Sequence, residues 1–243
     1  MNDDKSAVIE ALAPAGRLRV AINYGNIVLA QRGEDGEPAG VSAVLARALA
    51  AELGVEAEFA TFDGAGDVFS AIDDDAWRIG FLARDPVRAE KIQFTAPYVV
   101  IEGTYLVPKT SPFRDVDELD RSDVRIAVGK GAAYDLYLTR ALQQASLVRA
   151  ATSAAAIELF VERQLEAAAG VRQPLAAYAG SNPGYRVLPG RFTAIEQCMA
   201  IPKAQASDAV TRYVEDFLAR MKREGLVKRA LSESGQDETQ AAE

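Results

Sequence analysis

The sequence predicts an α/β protein built on doubly wound, mainly parallel sheets. Short apolar segments alternate with segments of helical periodicity, in the order strand, helix, strand, helix, strand through the first half. Loops rich in Gly and Asn follow the strands. The second half also begins much as the first does, since VRIAV at 124–128 and RLRVAI at 17–22 are both short strands before a loop that contains glycine.

The elements expected in the first half follow from periodicity and from stop signals. Pro14 and Gly16 end the first helix, and Gly54 ends the second. The expected elements are a polar tail and short helix within 1–16, a strand at 17–22, a helix at 41–53, a strand at 55–62, a helix at 67–74, and two strands on either side of the charged residues 84–91, the second at 94–100.

The second half is expected to start near Gly103 and to end in amphipathic helices. The tail 234–243 is polar and is expected to be disordered. The expected elements are strands at 104–109, 124–128, 146–151, 165–171, 185–192 (with a break) and 192–203, and helices within 111–120 and at 134–144, 153–164, 172–180 and 206–231.

Composition excludes several classes of function. The net charge is −8 and no basic block stands out, so nucleic acid is not expected as a partner. The chain has no histidine and one cysteine, Cys198, which rules out histidine-based nucleophile systems, an intrachain disulfide and thiolate metal clusters. We therefore expect no metal, no cofactor and no catalytic residues.

The targeting signals leave the compartment open. No run of 18 or more apolar residues occurs, so no membrane span is expected. The first residues carry acids and lack a long apolar stretch, so they do not form a secretory signal peptide. The protein is cytoplasmic if Met1 is the natural start; otherwise a leader has been removed.

The charged turn in residues 77–99 is the first candidate for function. Charges between two core segments are costly unless they are paired. Arg88 offers a guanidinium fork that suits an anionic ligand. An internal ion pair with Asp85 or Glu90 explains the same residues equally well.

Two loops at strand ends are further candidates. Asn23 and Asn26 follow the first strand, where α/β sheets place ligand loops, although the same residues also form plain turns. The loop Gly129-Lys130-Gly131-Ala132-Ala133 begins a helix and offers backbone N–H groups to an anion. Tight packing of the loop on its strand is the alternative.

Taken together, several segments resemble the family 3 extracellular solute-binding proteins, the polar-amino-acid type of periplasmic receptor for ABC transporters. The segments are RLRVAIN, GEPAGVSAVLARALAAELG, DPVRAEKIQFTAPYV, VRIAVGKGAAYD and MAIPK, and the likeness covers about residues 16–232. It implies a two-lobed type II periplasmic-binding fold, with a ligand trapped between the lobes on hinge closure. Lobe 1 is then 1–99 plus 197–243, lobe 2 is 104–190, and the hinges lie near 100–103 and 191–196.

The resemblance also implies roles for single residues. Arg88 matches the arginine that clamps the ligand's α-carboxylate. With the candidates from the loops, the expected ligand site comprises Arg88 and the following: Asn23 and Asn26 after the first strand, Phe81, Ala83 and Asp85 before the arginine, Ala132, Ala133 and Tyr134 at the start of the lobe 2 helix, and Arg172.

Two departures from the family pattern bear on the ligand. Serine or threonine is usual before the arginine, where this chain has Gly80, Phe81 and Ala83. The acid that commonly holds the ligand's ammonium is also missing, since Val171 and Arg172 stand in that region. We therefore expect a small carboxylate, with a dicarboxylate held by Arg88 and Arg172 as one form. Glu102 would supply the missing negative charge if the ligand is amino-acid-like.

The expected function is a binding protein without enzymatic activity, a monomer that hands its ligand to an ABC permease and is periplasmic by resemblance. One alternative is a cleft enzyme of the cyclohexadienyl-dehydratase type, with Asp85 or Glu102 as proton donor. The other is a ligand-sensing regulator in the cytoplasm.

Overall fold

The computed structural model describes residues 2–242. Met1 and Glu243, which the expected first lobe includes, lie outside the described residues. The described helices are α1 (Asn2–Leu12), α2 (Val41–Leu53), α3 (Ala65–Ser70), α4 (Ala133–Ala141), α5 (Ser153–Glu162), α6 (Arg172–Ser181), α7 (Asp208–Arg223) and α8 (Leu226–Glu233), with short 3₁₀ turns at Arg88–Glu90, Val116–Leu119 and Glu238–Gln240. The strands are β1 (Arg17–Asn23), β2 (Gln31–Arg32), β3 (Pro38–Ala39), β4 (Glu56–Phe62), β5 (Gly80–Ala83), β6 (Ile92–Pro108), β7 (Arg125–Gly129), β8 (Ser146–Ala150), β9 (Ala167–Val171), β10 (Tyr185–Val187) and β11 (Thr193–Pro202).

The described chain divides into two compact units. Unit 1 comprises Asp67–Val100 together with the described residues up to Asp63 and from Glu196 onward. Unit 2 comprises Ile101–Ile195 and the short segment Gly64–Gly66. Strands β6 and β11 each contain residues of both units, so the chain passes between the units along extended backbone.

Unit 1 is built on parallel strands. β1 and β4 pair in parallel along their whole length, and a parallel bridge from Val20 to Ile79 joins β1 to the segment that leads into β5. β5 pairs with β11 in antiparallel fashion. Gly54 follows the last residue of α2, and its left-handed φ of 77° lets its N–H reach carbonyls of the last helical turn. The largest fully buried side chains of this unit include Trp77, Tyr98 and Phe217.

Unit 2 has the same α/β character. β7 pairs in parallel with both β8 and β9, and β6 pairs in antiparallel fashion with β9 and β10. Helices α5 and α6 close over these strands, with Phe160 and Leu175 in the core. The predicted α/β class is thereby confirmed, and the sheet that contains β5 to β11 is mixed, with parallel and antiparallel pairs.

One expected break in the chain is absent. The prediction of separate strands at 94–100 and 104–109 is wrong, because β6 is one strand from Ile92 to Pro108. Pro97 lies inside it without ending it, since the fixed φ of proline falls within the extended region of the backbone.

The polar tail is ordered as far as the structure describes it, so the expectation of disorder there is wrong. The Ala242 N–H donates to the carbonyl of Tyr98 at 3.0 Å, and Ala241 forms an antiparallel bridge with Val99. Asp237 caps the turn by accepting from the Thr239 N–H at 2.8 Å. Backbone pairing with β6 therefore holds a segment whose composition alone predicts no core contact.

Cys198 lies on β11 and is buried. Burial raises the pKa of its thiol to about 11. Among the described helices, none combines the length and apolar character that crossing a bilayer requires.

Candidate functional site

The candidate residues of unit 1 lie where its parallel strands end. β1 ends at Asn23 and β5 ends at Ala83, and the parallel bridge between Val20 and Ile79 places both carboxyl ends on the same edge. In open α/β sheets this edge is where ligands bind.

The two asparagines after β1 form a turn. The Asn23 Oδ1 accepts from the Gly25 N–H at 2.9 Å, and the Asn26 carbonyl accepts from the Leu29 N–H at 3.0 Å. These are the contacts of a structured turn. A ligand contact by either asparagine stays a prediction.

Sequence reasoning missed Tyr24 in the same turn. Its hydroxyl oxygen is buried and has no hydrogen-bond partner among the described residues, while the Arg32 guanidinium lies 4.2 Å from the ring centre. A buried hydroxyl without a partner is costly. The only signal in the sequence is the position of Tyr24 between the two asparagines.

The three expected site residues between β5 and Arg88, or within β5, differ in their surroundings. The ring of Phe81 packs edge-on against Tyr98 at 5.8 Å between centroids, which is a core contact. Ala83 is buried at the end of β5, and its carbonyl faces the arginine. Asp85 is only 4% exposed, and its Oδ1 accepts from the Val87 N–H at 2.9 Å, which fixes the turn.

Arg88 is fully buried in unit 1, with 1% of its surface exposed. Its Nη1 donates to the Ala83 carbonyl at 3.0 Å. Burial lowers the pKa of Arg88 to about 10, and the negative charge of Asp85 acts in the opposite direction. Arg88 is therefore a cation at neutral pH, held by the backbone and balanced by a neighbouring carboxylate.

The candidate residues of unit 2 also follow strand ends. β7 and β9 are parallel neighbours, and they end at Gly129 and Val171. The glycine loop follows the first strand, and α6 begins with Arg172 directly after the second. These residues share one edge of the unit 2 sheet.

Most amides of the glycine loop that the sequence offers to an anion are already used. The Ala132 N–H donates to the Gly129 carbonyl at 3.1 Å, and the Gly131 N–H donates to Asp135 Oδ2 at 2.8 Å. Asp135 also accepts from Arg149 Nε at 3.0 Å. The loop thus holds a carboxylate of its own chain. Ala133 is the first residue of α4, and its ligand contact stays a prediction.

Tyr134 ties this loop to the next helix. Its hydroxyl donates to Ser153 Oγ at 2.8 Å and accepts from the Gly129 N–H at 3.3 Å. Burial raises the pKa of Tyr134, so the phenol stays neutral. These contacts give Tyr134 a structural role in unit 2, and a ligand contact stays a prediction.

Arg172 is engaged by residues of its own unit. Its Nε donates to Glu102 Oε2 at 2.7 Å, and its Nη1 and Nη2 donate to the carbonyls of Leu188, at 3.5 Å, and Gly190. Arg191 Nη1 donates to the other oxygen of Glu102 at 3.0 Å. The two arginines lower the pKa of Glu102. Sequence reasoning named Glu102 as a spare charge, but it did not foresee that Glu102 pairs with Arg172.

The next residue, Gln173, was also missed. Its side-chain oxygen is buried without a hydrogen-bond partner among the described residues. No group of three or more metal-binding side chains occurs in the part of the chain that the structure describes.

A comparison with protein families gives one match that spans most of the chain. Residues 18–234 match the bacterial extracellular solute-binding proteins, family 3. The chain belongs to this family. A comparison with curated protein sequences finds no significant match.

Solved structures of similar fold include several proteins of the solute-binding class. A solute receptor for L-cysteine from Neisseria gonorrhoeae has a TM-score of 0.80 at 22% identity, over 93% of this chain and 92% of that one. An amino acid ABC transporter substrate-binding protein from Streptococcus pneumoniae, bound to L-arginine, has a TM-score of 0.78 at 22% identity, over 93% and 97%. An ancestral amino-acid-binding protein, described as a precursor of cyclohexadienyl dehydratase, has a TM-score of 0.76 at 24% identity, over 93% and 98%. These likenesses show the two-lobed type II periplasmic-binding fold.

Proposed function

We propose that this solute-binding protein captures a small solute that bears a carboxylate, either an organic acid or an amino-acid-like molecule, for uptake by an ABC permease. Membership of the family supports the binding role. The names of the similar structures support a solute of amino-acid size, since they include receptors for L-cysteine and L-arginine. The family's description supports a site of action outside the cytoplasm.

The observation that carries the proposal is the buried guanidinium of Arg88. Its Nη1 is anchored on the Ala83 carbonyl at the edge where β1 and β5 end. An arginine held in this way presents a planar fork in a fixed direction, which suits the two oxygens of a carboxylate. Little side-chain entropy is then lost when the ligand binds.

Ligand capture between the two lobes is part of the proposal. We take unit 1 and unit 2 as the lobes, with hinges near 100–103 and 191–196. The support is that β6 and β11 each carry residues of both units at these positions, as hinge strands would.

An enzyme on the same scaffold is the second candidate, because one similar structure is a precursor of cyclohexadienyl dehydratase. The state of Glu102 argues against this residue as the proton donor, for which Asp85 is the other candidate. The neighbouring arginines lower the pKa of this carboxyl, whereas a general acid needs a raised one. We expect no turnover of prephenate or arogenate, and measurable turnover would favour the enzyme.

Calorimetric titration with small carboxylates and amino acids tests the binding role. Arg88→Lys should raise the Kd at least about tenfold, because lysine keeps the charge but loses the fork. Arg19→Lys is the matched control, since Arg19 pairs with Asp75 at 2.9 Å near the start of β1. Equal Kd values for Arg88→Lys and the parent protein would refute the clamp, and binding of none of these solutes by the parent would refute the function.

A further inference from the structure

Unit 1 carries a surface cavity of about 730 Å³, which is lined by the end of α7, the start of α8 and the ordered tail. Its charged lining residues are Lys222, Arg223, Lys228 and Glu238, and the other described ones are three alanines and a threonine. None of these residues belongs to the expected solute site. The volume suits a small molecule, since ligand sites measure about 300–1,000 Å³.

The lining is positive in a protein that is negative as a whole. Three cations and one carboxylate line the cavity, whereas the full chain carries a net charge of −8. Arg220, in the same last turn of α7, pairs with Glu52. Arg223 and Lys228, by contrast, form no ion pair with any residue that the structure describes. The cavity therefore keeps an excess of positive charge, which favours an anion.

Stabilisation of the helices explains only part of this charge. Lys222 and Arg223 lie in the last turn of α7, where cations are favourable because the helix dipole is negative at that end. Lys228 lies in the first turn of α8, where the dipole is positive, and that turn has neither an acidic residue nor a side-chain cap. A cation at this position is unfavourable for the helix, and an anion in the cavity would offset the effect.

Lys222 connects the cavity to β6. Its Nζ donates to the carbonyl of Pro97 at 3.1 Å, next to Tyr98, whose carbonyl accepts from the Ala242 N–H of the tail. Burial lowers the pKa of Lys222. A bound anion would act in the opposite direction, because it favours the charged form of the amine.

From this cavity and its charges, we propose that unit 1 has an anion site formed by Lys222, Arg223 and Lys228. The ligand class is the small multivalent oxyanions, such as a diphosphate. The excess of positive charge in the lining matches a ligand with two or more negative charges, and the cavity is larger than a single phosphate ion requires. Glu238 reduces the affinity, because its carboxylate belongs to the same lining. This site goes beyond the proposed solute capture and does not depend on it.

Calorimetric titration with inorganic pyrophosphate tests the site, at about pH 8 and about 0.1 M ionic strength, where general attraction between distant charges is screened. The parent should bind pyrophosphate with a Kd below about 1 mM and at least about tenfold more tightly than inorganic phosphate. Arg223→Gln/Lys228→Gln should raise the Kd for pyrophosphate at least about tenfold. Glu238→Gln should lower it about threefold, because it removes a negative charge from the lining.

Arg212→Gln/Lys203→Gln is the matched control, since it removes two exposed cations of unit 1 that do not line the cavity. It should keep the parent's Kd. Urea unfolding without ligand checks that each variant folds, and pyrophosphate should raise the urea midpoint of the parent but not that of Arg223→Gln/Lys228→Gln. The inference is overturned if the parent does not bind pyrophosphate, if both double variants weaken binding equally, or if Glu238→Gln weakens it.

Discussion

Arginine meets carboxylate in two very different settings in this protein. In unit 1, Arg88 and Asp85 are both buried, at 1% and 4% exposure, and the backbone holds each of them. In unit 2, Glu102 joins Arg172 and Arg191 with all three side chains 30% exposed or more. Both settings combine guanidinium and carboxylate groups, but the surroundings of the charges differ.

This difference indicates that burial, more than the number of ion pairs, decides how much such a cluster contributes to the free energy of unfolding. A buried charge that loses its partner stays desolvated, which costs several kcal/mol, whereas water replaces the partner of an exposed charge at little cost. The buried groups should therefore contribute more to the free energy of unfolding than the exposed cluster does. Three measurements test that difference.

The largest effect is expected from Asp85→Ala. The substitution removes the negative charge that acts on Arg88 and the acceptor of the Val87 N–H, so the free energy of unfolding should fall by about 3 kcal/mol. Urea unfolding followed by circular dichroism measures it. Asp85→Asn keeps the acceptor for the turn and separates the loss of charge from the loss of the hydrogen bond. A loss below 1 kcal/mol for Asp85→Ala would erase the distinction between the two clusters.

Tyr134→Phe removes a buried hydroxyl that carries no charge, so its effect on the free energy of unfolding should lie between the largest and the smallest of the three. It leaves the Gly129 N–H and Ser153 Oγ without their shared partner, so the free energy of unfolding should fall by about 1–2 kcal/mol. Tyr137→Phe, on the same helix, controls for the removal of a hydroxyl. If Tyr134→Phe costs as much as Asp85→Ala, charge adds nothing to burial in this protein.

The smallest effect is expected from Glu102, and it depends on pH. The pKa of Glu102 is lowered in the folded protein, so its stabilisation is present above the unfolded pKa and is lost as the pH falls through the folded pKa. Between pH 7 and pH 3, the parent should lose more stability than Glu102→Gln, by less than about 1 kcal/mol because the group is exposed to solvent. Urea unfolding at both pH values measures the difference. A larger loss would show that the exposed cluster stabilises the fold as the buried pair does.

Much of the fold follows from local patterns in the sequence. Helix α2 begins and ends as predicted at Val41 and Leu53, because apolar spacing and Gly54 mark its end. β6 and the tail were mispredicted for a common reason. Pairing between strands distant in sequence sustains β6 through Pro97 and orders Ala241 and Ala242, and no local window contains that information.

The candidate residues were named without their contacts. Arg88 was named from the charged turn after a strand, and Arg172 from the resemblance to the solute-binding family; their roles stay predictions. The pairing of Arg172 with Glu102 joins residues 70 positions apart, and Arg191 lies a further 19 positions beyond Arg172, so spacing along the chain gives no hint of it. Tyr24 and Gln173 were missed because the feature that marks them, a buried polar atom without a hydrogen-bond partner among the described residues, is a property of the folded chain.

Cys198 allows the opening of unit 1 to be followed by the rate of thiol labelling. The chain has no other thiol, and this one is buried on β11 beside β5, with its pKa raised to about 11. Because the thiolate is the form that reacts, a disulfide-forming dye labels Cys198 only after the strand loosens and water reaches the sulfur. The labelling rate of the unmodified protein would therefore report how often unit 1 opens. A bound ligand that stabilises this unit would lower that rate, and no engineered reporter is needed.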